Sequence, residues 1–181
     1  MQIAAMVVGG CEPINYEAGP LVLSTDQVKA LRTLCFFGGT IESGEWQVHD
    51  QILQAGDPFD NAFPKKVVWI QHQADWCRNM NVWEQLFWVA QKMGYGLREF
   101  KVIWEYFLTL WPTLEKNQCI LNLSEQEAAD LDLLRGLIMR PQAVLFESGT
   151  ISKRLGDLVA SDLALYDVQL IEVEVCDDSP S

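Results

Sequence analysis

The sequence predicts an α+β fold: a small mixed sheet, about five helices and a central, aromatic-rich helical hairpin. Three observations lead there. Short apolar runs such as Ile3–Val8 and Lys66–Ile70 have the length and β-branched content of strands. Longer segments repeat apolar residues at helical spacing. At two places a short apolar run meets a Ser followed three residues later by Gln or Glu, the signature of a capped helix start. With 181 residues, the chain suits a single compact domain whose core needs no disulfide or metal staple.

Taken in order, Ile3–Val8 reads as a buried first strand. Val8-Gly9-Gly10-Cys11 resembles a lipid-attachment box, but the apolar run before it is short and carries no positive charge. Leu21-Val22-Leu23 leads into Ser24, with Gln27 as its capping partner, and opens a helix over Asp26–Phe37. Gly38–Pro64 is rich in Gly and Pro and reads as loop, with a short helix at His49–Gln54. After the strand Lys66–Ile70 come helices at Asp75–Met93 and Leu97–Leu110. Ala90 at their crossing and Gly94 at the turn make them a close hairpin. A strand at Cys119–Leu123 then enters a helix over Glu125–Met139, capped by Ser124 and Glu127. Residues 21–34 and 121–134 therefore share a pattern, which duplication or simple convergence on strand-cap-helix grammar both explain. Strands at Ala143–Phe146 and Asp167–Val175 flank a helix at Ser152–Ser161, and an acidic tail ends the chain.

Charge and aromatic content divide this domain into three parts. Thirteen basic and 25 acidic residues give a net charge of −12. The net is −6 over residues 1–63, +2 over 64–116 and −8 over 117–181, and six of the seven Trp lie in the middle part. Such acidity argues against direct nucleic-acid binding, which rests on Lys and Arg displacing counterions. No run approaches the ~18 apolar residues of a membrane span. Five cysteines, odd in number and without CxxC spacing, suit reduced thiols in the cytoplasm better than a disulfide framework or zinc site.

Chemistry-bearing motifs are sparse. GxSxG, HExxH, GxGxxG and the phosphate-cradling GxxxxGK[ST] do not occur in the sequence. His72, Asp75 and Cys77 are near neighbours that a turn could gather as a thiol–imidazole pair or metal ligands; a packed or surface histidine is the plainer reading. Asp50, Asp57, Asp60 and Asn61 lack the alternation of a calcium loop. The hairpin has helix-turn-helix spacing, which would show Arg98 and Lys101 to DNA.

These observations favour a non-enzymatic acidic inhibitor or adaptor that docks on a basic, nucleic-acid-handling protein. In size, charge and poverty of motifs the chain resembles bacterial immunity proteins and phage-encoded inhibitors. The expected contacts are the acidic residues Glu125, Glu127, Asp130 and Asp132, with Trp83 and Trp104 of the hairpin as aromatic anchors. No catalytic residue, cofactor, metal or membrane partner is expected, the location is cytoplasmic, and the oligomeric state is open. The alternatives are a helix-turn-helix regulator using Arg98 and Lys101, and a small cysteine- or metal-dependent enzyme.

Overall fold

The structure, a computed structural model, describes residues 1–37, 39–48, 51–59, 67–70, 76–77, 79–163 and 168–176. It is an α+β fold, with five α-helices and mixed sheets among the described residues. The chain forms two compact units, one from Met1–Trp69, Pro141–Ser148 and Tyr166–Ser181, the other from Ile70–Arg140 and Gly149–Leu165.

The first unit holds two four-stranded sheets. One is antiparallel, in the order β2 (Ile14–Tyr16), β1 (Gln2–Val7), β5 (Ser43–Val48) and β6 (Gln51–Gln54). The other has the order β3 (Leu21–Ser24), β10 (Gln169–Cys176), β9 (Ala143–Glu147) and β8 (Val67–Ile70), with β10 parallel to both β3 and β9. A two-stranded ribbon pairs β4 (Gly39–Thr40) with β7 (Pro58–Phe59). Alternate residues of the second sheet, Leu21 and Leu23, Ala143 and Leu145, Ile171 and Val173, enter one core, as the two-residue period of a strand requires. Helix α1 (Thr25–Phe37) adds Val28, Leu31, Leu34 and Cys35 to that core, and the antiparallel sheet adds Ile3, Ile14 and Trp46. Val68, Ile70 and Val144 on the other face are buried too, which is why β8 and β9 are apolar at nearly every position.

The second unit is helical: α2 (Val82–Lys92), α3 (Leu97–Leu110), α4 (Glu125–Ile138) and α5 (Lys153–Leu163). Helix α2 packs on α3 and α4, and α3 on α5. The hairpin of α2 and α3 closes through a left-handed Gly94 (φ +85°). The Gly94 amide donates to Gln91 O and the Tyr95 amide to Ala90 O, the paired bonds of a glycine-terminated helix. A side chain at that φ strains the backbone. Gly94→Ala is therefore expected to cost about 1–2 kcal/mol in a urea titration.

Four expectations are corrected. Cys119–Leu123 is not a strand; Ile120–Asn122 forms a single 3-10 turn, with Cys119 bridged to Asn81. Helix α2 starts at Val82 rather than Asp75, because Asn81 and Glu84 form a capping box that ends the preceding segment. The stretch from Gly39 to Phe59 is not mostly loop but contains β4 to β7. Within it, Gln51–Gln54 is a strand and not a helix, and the rest of the predicted helix, His49 and Asp50, lies outside the described residues.

Candidate functional site

In a sheet of parallel strands, ligands gather beyond the carboxyl ends, and anionic groups favour the first strand-to-helix turn, where helix amides point outward. Here that place is the end of β3. Ser24 passes directly into Thr25, the first residue of α1, with no loop between them. A cleft of about 690 Å3 lies beside the junction, lined by Gly9, Gly10, Cys11, Glu12, Ser24 and Asp26 among others.

The turn after β1 forms one wall. Gly9 and Gly10 both have positive φ (60° and 68°) and the Cys11 amide donates to Val8 O at 3.3 Å, as in a type I′ turn. Gly9 also permits close approach: a Cβ there would stand 3.2 Å from Ala30 Cβ of α1. The helix start is tied to this turn. The Ser24 amide donates to Gln27 Oε1 (2.8 Å), the Gln27 amide donates to Ser24 Oγ (3.3 Å), and Gln27 Nε2 donates to Glu12 O (2.9 Å). This is the predicted capping box, with its glutamine also fastening the turn. Glu42, two residues beyond β4, receives the Gly10 amide on Oε1 at 3.0 Å.

The field in this cleft is negative. Lys29 is the one cation lining it among the described residues, and its Nζ lies 3.3 Å from Asp26 Oδ1. Burial pushes the Cys11 thiol above its ordinary range, and the Asp26 and Glu42 carboxylates push it further. Since the thiolate is the reactive species, a double Asp26→Asn, Glu42→Gln variant should label faster at Cys11 at pH 8, measured by mass spectrometry after alkylation. An unchanged rate would contradict the assigned field. At the end of β9, Glu147 stands 3.8 Å from the Arg32 guanidinium of α1. Among the described residues, no group of three or more His, Cys, Asp or Glu is placed to hold a metal ion.

The residues singled out from the sequence are distributed differently. Glu125 is exposed at the start of α4. Glu127 accepts the Ser124 amide in the second capping box, and that bond, followed by the Ser124 hydroxyl, holds its carboxyl below the usual range. Asp130 is buried and accepts the Ser152 amide at 2.7 Å. Asp132, 1% exposed, is ion-paired with Arg135. The four acids thus do not form one surface. Trp83 and Trp104 pack edge to face at 5.0 Å between ring centroids, with Phe100 at 4.7 Å from Trp83; Trp104 is buried and Trp83 half-buried. Arg98 and Lys101 are both exposed on α3. Cys77 is exposed, while His72 and Asp75 lie outside the described residues. The grouping of Glu12, Asp26, Gln27 and Glu42 escaped the sequence reading. The Ser24 cap and the Gly9-Gly10 pair were visible, but only tertiary folding brings residues 12 and 42 to them.

No family model matches the sequence, and no curated protein does. The fold, however, is found among solved structures. The ATP-binding subunit of an ABC transporter superposes with a TM-score of 0.69 at 9% identity, over 96% of this chain and 78% of that one. A dimeric ATP-binding cassette in a post-hydrolysis state with ADP and Pi gives 0.66 at 13% identity, over 97% and 88%. The cbiO1 protein of Clostridium perfringens, part of the ABC transporter complex cbiONQ, gives 0.67 at 11% identity, over 97% and 78%.

This likeness overturns the functional reading drawn from composition. An acidic inhibitor or adaptor like bacterial immunity proteins or phage-encoded inhibitors, and a helix-turn-helix regulator, rested on charge or on one hairpin. The fold instead follows ATP-binding cassettes over nearly the whole chain. Net charge bears on solubility and association, not on fold. The hairpin is part of that larger architecture.

The fold raises the question of a nucleotide, and the junction does not fit one. A strand-to-helix phosphate site needs a glycine-rich loop whose amides surround the phosphates, a lysine reaching them, and a Ser or Thr for Mg2+. At β3–α1 the loop has zero length, the lysine is engaged with Asp26, and the surrounding field is negative.

Proposed function

We propose that the protein is a cassette-type subunit of an ATP-driven membrane transport assembly, working on the cytoplasmic side beside a membrane-spanning partner. The observation that carries this reading is the likeness of almost the entire chain to ATP-binding subunits of such transporters. Among the described residues no helix is long and apolar enough to cross a membrane, so in this reading the membrane path belongs to another chain. A cassette fold found as a dimer further favours pairing with a second cassette-type subunit.

Fractionation of the source cells tests the assignment. The protein should sediment with membranes, leave them on detergent extraction in complex with a polytopic membrane protein, and cross-link to it in intact cells. Recovery wholly in the membrane-free fraction, without such a cross-link, would reject the transport role.

A further inference from the structure

We infer that the β3–α1 junction is closed to nucleotide phosphates by its own residues, so that ATP used by the assembly is held by a different chain. The second half rests on the transport reading above; the first half stands on the geometry of this chain. Three independent features support the closure. The covalent path leaves no room, because the last residue of β3 and the first of α1 are consecutive, whereas a phosphate-cradling turn interposes several residues between strand and helix. The helix start is closed internally: Ser24 and Gln27 cap each other, and Gln27 Nε2 binds Glu12 O across the mouth of the turn. Finally, the side chains that line or border the cleft repel polyanions, with Glu12, Asp26 and Glu42 set against Lys29, itself paired to Asp26.

A phosphate approaching this junction would therefore meet three carboxylates and a Gln27 amide already bonded to Ser24, which weakens the attraction of a helix start for anions. The Gly9-Gly10 turn retains the backbone freedom typical of phosphate-binding loops. Its Gly10 amide is nevertheless already given to Glu42, and its Gly9 is needed for contact with Ala30. The features usually associated with nucleotide binding serve internal packing here.

Two measurements on the purified full-length chain test the closure. A fluorescent N-methylanthraniloyl-ATP is titrated with Mg2+, and alkylation of Cys11 is followed with and without millimolar MgATP. Absence of saturable binding up to about 1 mM, with an unchanged Cys11 rate, is the expected result. Binding that leaves Cys11 unprotected would uphold the closure of the junction but overturn the assignment of ATP to a different chain, since the nucleotide would then sit elsewhere on this one. Saturable binding that slows Cys11 alkylation severalfold, and is weakened by Ser24→Ala or Gln27→Ala, would overturn it. In the detergent-extracted assembly, azido-ATP should photolabel another subunit; labelling of this chain at residues 9–30 would equally reject the inference. If no assembly is recovered, the transport reading falls, while the results on the isolated chain still decide the closure.

Discussion

Arg135→Ala is expected to lose about 3–5 kcal/mol of stability, the cost of removing one member of a buried ion pair. Asp132 is 1% exposed on α4 and its carboxylate is paired with the Arg135 guanidinium one turn later. The guanidinium also lies 4.6 Å from the centroid of the Trp76 ring, so truncation removes a cation–π contact as well. At roughly 2–4 °C per kcal/mol for a chain of this size, the melting temperature should fall by about 6–20 °C. Glu125→Ala, at an exposed position of the same helix, should stay within about 0.5 kcal/mol. A paired Asp132→Leu, Arg135→Met variant should recover much of the loss, because an apolar pair of similar volume carries no desolvation cost. Equal stability of Arg135→Ala and Glu125→Ala would show that the pairing with Arg135 does not carry the stability assigned to it.

Trp46→Ala should cost a similar amount, about 3–5 kcal/mol. Trp46 is fully buried in β5, opposite Ile3 of β1 and Leu53 of β6, and it is among the largest side chains in the core of the first unit. Its loss leaves a cavity that the paired strands cannot collapse to fill without shifting register. Ile52, next to Leu53 and 50% exposed, provides the control: Ile52→Ala should change stability by less than about 1 kcal/mol. If the two variants melt alike, β5 and β6 do not pair as described.

Much of the local structure was legible in the sequence because its causes are local. Helix α3 runs from Leu97 to Leu110 as its apolar spacing predicts, and both Ser-led capping boxes form. The hairpin turns at Gly94, where only a residue without Cβ adopts φ +85° readily. The β5–β6 pair was obscured because its strands carry few apolar residues. Glu45, Trp46, Gln47 and Val48 do alternate, but neighbouring glycines suggested loop. Leu121 and Leu123 looked like strand residues, yet Leu121 is exposed and the segment turns; pairing partners, not side-chain type, decide whether an extended segment becomes a strand.

Function divides along the same line. By itself the sequence determined the α+β class, the capped helix starts, the helical hairpin and the lack of a glycine-rich phosphate motif, since each depends on residues within one or two turns of one another. Only the tertiary structure decided that Asp130 and Asp132 are interior while Glu125 faces solvent, that Glu12 lines the same cleft as Asp26, and that Glu42 binds the Gly10 amide beside it. It alone revealed the likeness to ATP-binding cassettes, at 9–13% identity. Net charge counts carboxylates without their positions, whereas burial, pairing and the field at a helix start depend on which distant segments the sheets bring side by side.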